Sequence, residues 1–370
     1  MSKKKCIFHI PNHINLQGHS GSNVRPVKML QAFREIGYDV EYVMGYGQER
    51  KECINRIKSN IMHGIQYDFL YSESSTMPTL LTEKNHLPRY PGLDFGFFKF
   101  CKKHGIQIGL FYRDIQWKFP MYRESVSWYK RCVSIPLYRY DLCKYGKLLN
   151  KFYLTSMAVK KYLEEYPVLL GKADLLPPGC DAVEELEEHD IENEKLRIFY
   201  VGGINRIYNL EMFLKVLSKF ENLELILCCR KTEWEESKEI YGQYMTPRIK
   251  IVHAMGEELE KYYKWADLCC AFAGKGEYMS IAMPIKVFEY LGHLKPMIGT
   301  ADTEAGRFIE ENHIGWSINY TEKDLERVLR KIIDDPSVLE KMSKRLKDVR
   351  QENLWTERAK KVAKDLANNI

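Results

Sequence analysis

Short apolar runs alternate along the chain with longer stretches of helical spacing. "KCIFHIP" reads as a first strand, and "VRPVKMLQAFREIG" behind it places apolar residues at helical intervals and stops at Gly37. The runs "YDVEYVMG", "YDFLYSE", "IQIGLFY" and "KFYLTS" follow as strands, and a short "ADLLPPG" closes this round. The acidic stretch "CDAVEELEEHDIENEK" has no core pattern and marks a boundary. A second round then runs through "LRIFYVGG", "LELILCC", "IKIVHAMG", "ADLCCAFAG", "KPMIGT" and "GWSIN". Helices are expected between these at about 207–220, 257–265, 284–292, 303–312 and 322–334. The tail from Pro336 reads as two more helices. The last has a packing face of Trp355, Ala359, Val362, Ala363 and Leu366.

Apolar runs separated by helices are what a parallel sheet covered on both faces requires. Two rounds of this pattern predict two α/β domains, which suits a chain of 370 residues. The expected division is a first domain at 1–180, a linker at 181–195 and a second domain at 196–352, with about 353–370 completing the first. Ligands are expected near the C-terminal ends of the strands, in a cleft between the domains.

Composition narrows the class. The chain is 45% hydrophobic and 29% charged, as a globular protein is, and no run approaches the ~20 apolar residues of a membrane helix. "MSKKKCIFHIPNH" begins with charge, but its apolar part is too short for a signal peptide and reads as a strand. Of ten cysteines, Cys228, Cys229, Cys269 and Cys270 sit inside apolar runs, where cysteine acts as a small hydrophobe. No C-x-x-C pair occurs, which argues against a structural zinc site, and reduced thiols fit the cytosol.

Charge is uneven. From Lys84 to Lys161 there are sixteen Lys/Arg against four Asp/Glu, an excess of +12 inside a chain whose total is +6. Aromatics crowd the same window, as in "FYRDIQWKFPMY" and "SVSWYKRCVSIPLYRY". Such a surface suits anionic lipid or an acidic substrate. No zinc-finger, RNP or helix-turn-helix pattern accompanies it, so nucleic acid is not an expected partner.

Candidate chemistry lies where strands exit. The loop "PNHINLQGHSGSNVRP" leads into a helix: Gly18, Gly21 and Ser22 permit close approach, and Asn12, His13 and His19 are available polar groups. Its spacing is not G-x-G-x-x-G, which excludes the dinucleotide fingerprint. "YVGGINRIYN" repeats the design in the second domain with Gly202, Gly203 and Arg206, and "CCRKTEW" puts Arg230 and Lys231 at the same sheet edge. Backbone amides with these cations would suit a diphosphate. Arg113 and Asp114 follow a strand directly and are candidates for acid, base or charge stabilisation, although Asp114 could equally cap a turn. In "MPIKVFEYLG", Pro284 suits a first helical turn. Glu289, near that helix start, could bind vicinal hydroxyls such as those of ribose, and Lys286 beside it either reaches phosphate or faces solvent.

Taken together, "PIKVFEYLGHLKPMIGT", "YVGG", "LPPGCD" and "ADTEAGRFIEENHIGW" resemble the retaining GT-B glycosyltransferases. The family is the large one that includes sucrose, mannosyl and capsule or lipopolysaccharide sugar transferases. The resemblance implies two Rossmann-like domains with parallel sheets facing across a cleft, and a C-terminal helix crossing back to the first. In that family the second domain binds a nucleotide-activated sugar and the first binds the acceptor. Glu289 matches the family's second glutamate, the ribose ligand; the first would fall at 281, which is Ile281 here. That departure raises Glu277, or a polar group of "GKGEYMS", as the replacement. Gly203 stands where many relatives carry a phosphate-binding arginine and Asn209 near their lysine, so Arg206, Arg230 and Lys231 are the expected substitutes. "YRD" resembles the family's "HD", with Arg113 in the histidine's place.

The function so implied is hexosyl transfer from a nucleotide diphospho-sugar, UDP favoured, to a glycan or lipid-linked glycan in surface polysaccharide biosynthesis. No cofactor is expected, and with no D-x-D motif the leaving group is expected to depart without a metal. The expected location is cytoplasmic, peripheral on the inner membrane face through 84–161. Two alternatives stay open. One is another GT-B enzyme, such as a sugar-nucleotide epimerase or inverting transferase. The other is a non-catalytic nucleotide-binding or partner-complex subunit, suggested by Ile281.

Overall fold

The computed structural model describes residues 4–14, 21–183, 195–205, 207–274 and 276–367, with Gly21 and Ser22 described by their backbone. The chain forms two compact units: Met1–Pro177 with Trp355–Ile370, and Pro178–Leu354.

In the first unit, β1 (Lys5–His9), α1 (Gly21–Glu35), β2 (Asp39–Val43), α2 (Gly47–Met62) and β3 (Phe69–Glu73) come first. They are followed by α3 (Leu93–Lys103), β4 (Gln107–Phe111), α4 (Pro120–Ser125), α5 (Trp128–Leu148), β5 (Lys151–Leu154), α6 (Pro167–Leu170) and β6 (Ala173–Leu175). The strands form one parallel sheet in the order β2-β1-β3-β4-β5-β6. Cys6, Ile7 and Phe8 of β1 are all fully buried, because helices cover both faces.

The second unit runs β7 (Leu196–Val201), α7 (Glu211–Leu217), β8 (Leu223–Cys228), α8 (Lys231–Tyr241), β9 (Ile249–Val252), α9 (Glu260–Trp265) and β10 (Leu268–Ala271). It continues with α10 (Ile285–Gly292), β11 (Met297–Thr300), α11 (Glu304–Glu311), β12 (Gly315–Ile318), α12 (Glu322–Asp334), α13 (Ser337–Glu340) and α14 (Ser343–Glu352). Its parallel sheet has the order β12-β11-β10-β7-β8-β9. From β7 the chain builds outward on one side, then returns to build from β10 on the other. The carboxyl ends of β7 and β10 therefore flank a switch point, the place where such sheets hold ligands.

α15 (Trp355–Leu366) returns to the first unit. Its Trp355, Ala359, Val362 and Leu366 are buried among Phe8, Phe33 and Tyr71. Gly109 on β4 makes room for it: a Cβ there would stand 2.6 Å from Leu366 Cδ1 and 2.8 Å from Tyr153 Cε2.

The tail holds three helices rather than the two expected, because α13 is a separate short turn after Pro336. α10 starts at Ile285, with Pro284 as its extended N-cap, so Pro284 precedes the first turn instead of occupying it. Glu289 consequently lies in the second turn, not at the helix start.

Candidate functional site

At the switch point of the second unit, Tyr290 joins α10 to both central strands. Its hydroxyl accepts from Val201 N–H at 3.2 Å and donates to the Cys270 carbonyl at 3.1 Å. That tether fixes the rotation of α10 and so aims the residues one turn on either side. Lys286, one turn back, is 9% exposed, not directed to solvent. Its Nζ stands 4.0 Å from the Tyr200 ring centroid and 4.7 Å from that of Tyr208. It has no hydrogen-bond partner among the described residues. Burial pushes its ammonium down to about 8, while the charge of Glu289 pulls the other way.

The β7 exit faces this ammonium. Gly202 has φ 140°, a backbone that a side chain rarely adopts, and a Cβ there would stand 3.2 Å from Lys286 Nζ. Tyr200 donates its hydroxyl to the Gly203 carbonyl, holding the turn. On the far side of Gly203 lies Glu233, whose Oε2 is buried without a partner among the described residues and whose Oε1 meets Arg230 Nη1 at 3.6 Å. Two glycines thus leave a bare backbone corner between an unpaired ammonium and a half-buried carboxylate. Glu289 is half-buried on α10, three residues beyond Lys286.

The other sequence-predicted residues scatter. Arg230 is 67% exposed as N-cap of α8, and Lys231 is exposed at its first position. Glu277 is exposed in a turn, and Ile281 is buried. Arg206 lies outside the described residues. Gly21 and Ser22 are the first two residues of α1. Among the described residues, no group of three or more His, Cys, Asp or Glu is placed to hold a metal ion. All ten cysteines are free, and burial pushes the Cys229 and Cys270 thiols up to about 12.

The first unit has its own cavity, of about 310 Å³, at the carboxyl end of its sheet. Asn12 and His13 after β1, Tyr46 after β2, Ser75–Met77 after β3 and Arg113 after β4 line it. Arg113 donates through Nη2 to Glu73 at 2.8 Å and through Nε to the Ser74 carbonyl at 3.2 Å. Burial lowers its basicity against the pull of Glu73. Asp114 turns back on its own loop, both oxygens accepting from Gln116, as a turn cap does.

Beneath the cavity lies a buried network that the sequence reading did not single out. His9 joins Ser72 Oγ at 2.8 Å and Asp94 Oδ1 at 2.9 Å. Arg50 donates to Asp94 at 3.0 Å and to the carbonyls of Pro11 and Gly45 at 3.1 and 2.7 Å. Ser72, His9 and Asp94 have the composition of a nucleophilic triad but are 0%, 1% and 4% exposed. No substrate reaches such a serine. Burial keeps His9 below its usual range, and at Asp94 the partners His9 and Arg50 outweigh burial and hold the carboxyl low. The network braces the exits of β1, β2 and β3 around the cavity. Its signal in the sequence is slight: polar residues ending otherwise apolar strands, as in "KCIFH" and "FLYSE".

Residues 181–349 match the family model described as glycosyl transferases group 1. Among curated proteins none matches the chain. Among solved structures, sucrose-phosphate synthase from Thermosynechococcus elongatus is similar over 98% of both chains, with a TM-score of 0.65 and 13% identity. Anabaena HepE in complex with UDP and glucose is similar over 97% of this chain and 98% of its own, with a TM-score of 0.64 and 11% identity. WaaG, a glycosyltransferase involved in lipopolysaccharide biosynthesis, is similar over 98% and 100%, with a TM-score of 0.65 and 12% identity. At these identities the likeness is one of fold, and that fold is GT-B.

Proposed function

We propose that this chain, a GT-B glycosyltransferase carrying a group 1 domain at residues 181–349, transfers a hexose from a UDP-sugar, with retention, to a glycan or lipid-linked glycan of a surface polysaccharide. The supporting observation is Lys286: a buried ammonium without a hydrogen-bond partner among the described residues, aimed at a bare glycine corner on the switch point. An unpaired buried charge is costly unless a counter-charge arrives. A diphosphate set against Gly202 and Gly203 provides one, and Glu289 on the same helix takes the ribose hydroxyls. Lys286 replaces, from α10, the cations that relatives are expected to carry on the β7 exit. Arg206, Arg230 and Lys231 are secondary in this reading.

In the reaction, the bond between the donor's anomeric carbon and the diphosphate oxygen breaks. The acceptor oxygen bonds to that carbon from the same face, and its proton passes to the departing phosphate oxygen. Charge grows on the diphosphate as it leaves, and Lys286 with the corner amides stabilises it without a metal. Asp114 shapes the loop that presents Arg113 to the first unit's cavity.

The second unit accounts for the donor. For the acceptor's membrane setting, α5 offers Trp128, Tyr129 and Val133 at 69%, 56% and 53% exposure, with Lys130 exposed among them. Vesicles containing anionic lipid should sediment the protein and neutral ones should not; equal behaviour removes the membrane arm of the proposal.

Calorimetry with UDP, GDP and CMP tests the donor reading. UDP should bind best, and Glu289→Ala should weaken UDP by roughly tenfold or more while leaving inorganic diphosphate nearly unaffected. A variant that binds UDP as the parent does overturns the ribose role. An NMR spectrum of the product's anomeric proton decides retention against inversion.

A further inference from the structure

We propose that the cavity of the first unit seats a neutral sugar ring of the acceptor, its hydroxyls donating to Glu83 and Asn12 and one face lying on His13. This rests on the glycosyltransferase reading above and names the class of acceptor that reading leaves open.

Glu83 is a firmly anchored carboxylate on the cavity wall. Its Oε1 accepts the N–H of Gly47, the first residue of α2, at 2.6 Å. The unsatisfied N–H groups of a helix start favour a carboxylate in that place. Glycine at 47 permits the approach: a Cβ there would stand 2.7 Å from Glu83 Oε1 and collide with the Tyr90 ring. Tyr90 in turn donates to Gln48 Oε1 at 3.4 Å, so the segment from Glu83 to Tyr90 is fastened to α2 at both ends. Glu83 is half-buried, and its second oxygen takes no hydrogen bond among the described residues.

Asn12 brings a second acceptor from the β1 exit. Its Nδ2 donates to the His13 carbonyl at 3.0 Å, which fixes the orientation of the amide. Oδ1 is buried with no partner among the described residues, and an acceptor so placed costs stability until a donor meets it. The corner around it is braced. Arg50 binds the carbonyls of Pro11 and Gly45, and the Gly45 N–H donates to the Asn12 carbonyl at 3.1 Å. Beside it the exposed His13 ring stacks on Tyr46, with centroids 5.5 Å apart and planes 12° apart, and offers a flat wall.

A ligand that answers these groups carries hydroxyl donors and a flat face of C–H bonds, and a pyranose has both. An ionised carboxylate or phosphate has no proton to give and meets the charge of Glu83. On the same wall Arg113 is engaged by Glu73 and the Ser74 carbonyl, and Lys84 stands in solvent. The volume, about 310 Å³, falls at the small end of the roughly 300–1,000 Å³ of ligand sites, which suits the end of a glycan.

The test uses the full chain with UDP saturating. Methyl glucoside, galactoside and mannoside are titrated, each beside its uronate, with binding read from the ligands' NMR signals. At least one neutral glycoside should bind, about tenfold or more tighter than its uronate. Among its monodeoxy analogues at least one should bind about fivefold or more weakly. In Glu83→Gln the side-chain carbonyl still accepts the Gly47 N–H, and the neutral glycoside should weaken by about tenfold while its uronate does not. In Asn12→Ala one deoxy analogue should bind as well as the full sugar, a change that a merely structural role would not produce. Uronates that bind as tightly as neutral glycosides, or a panel of which nothing binds, overturn the proposal, while UDP binding in the same samples leaves the donor reading standing. Failure to bind UDP at all overturns both.

Discussion

Replacing Lys286 with methionine should move stability and ligand affinity in opposite directions. The side chain keeps its length and apolar stem and loses its charge. In the folded protein burial brings the ammonium down to about 8 from 10.5, a difference worth about 3 kcal/mol against the charged form. Contacts with the Tyr200 and Tyr208 rings return about 1 kcal/mol. Lys286→Met should therefore stabilise the ligand-free protein by about 2 kcal/mol, or raise melting of the second unit by roughly 4–8 °C. Below pH 8 both folded and unfolded states hold the proton. Between about 8 and 10.5 the unfolded state holds more, so stability is highest above 10.5 and is lost as pH falls through about 8. The variant should lack this slope. Its affinity for UDP should fall by roughly ten- to a hundredfold, the share of a charge-assisted contact. Scanning calorimetry from pH 6.5 to 10.5, with and without UDP, reads both effects. A variant less stable than the parent, or one that binds UDP as tightly, refutes the view of Lys286 as a strained anion-binding charge.

Three further expectations concern the first unit. Burial raises the Asp141 carboxyl to about 7, although Thr79 N–H, at 2.7 Å, favours the charged form. Stability from this group is complete below the ordinary 3.8 and disappears as pH rises through about 7. Asp141→Asn should therefore stabilise the protein at pH 8 by up to about 4 kcal/mol, and a melting curve that is unchanged refutes this. Asp94→Asn leaves Arg50 buried with half its partner and should cost about 3–5 kcal/mol in urea unfolding; a loss below about 1 kcal/mol would show the pair to be dispensable. Gly109→Val drives a side chain into Leu366, and should cost about 1–3 kcal/mol while exposing the last helix to protease; an uncut tail counts against that packing.

The strands were legible because covered parallel strands need apolar runs on both faces, and little else in the chain has them. Helix α8 was not, since "KTEWEESKEIY" buries just Tyr241 and shows no apolar stripe. Helix α5 hid differently: its inward positions Ser134, Tyr138, Asp141, Leu142 and Tyr145 follow helical spacing but include polar residues. In the proposed site, the motif is what singles out Glu289. The burial of Lys286 could not be read from it, although a lysine amid "PIKVFEYLG" is a hint that one face of the helix is not dry by choice. Glu73 and His9 were invisible as a group, because their meaning depends on Arg25, Arg113, Asp94 and Arg50, in contacts between residues 40 to 85 apart in sequence.

Helix α15 imposes an order on biosynthesis. The hydrophobic bed formed by Phe8, Phe33 and Tyr71 is made early, yet the residues that cover it, from Trp355 onward, leave the ribosome after the whole second unit. The second unit has all its strands and helices available to finish first. The half that came out first carries an open apolar groove until Trp355–Leu366 has been made, and a chain truncated before Trp355 keeps that groove bare.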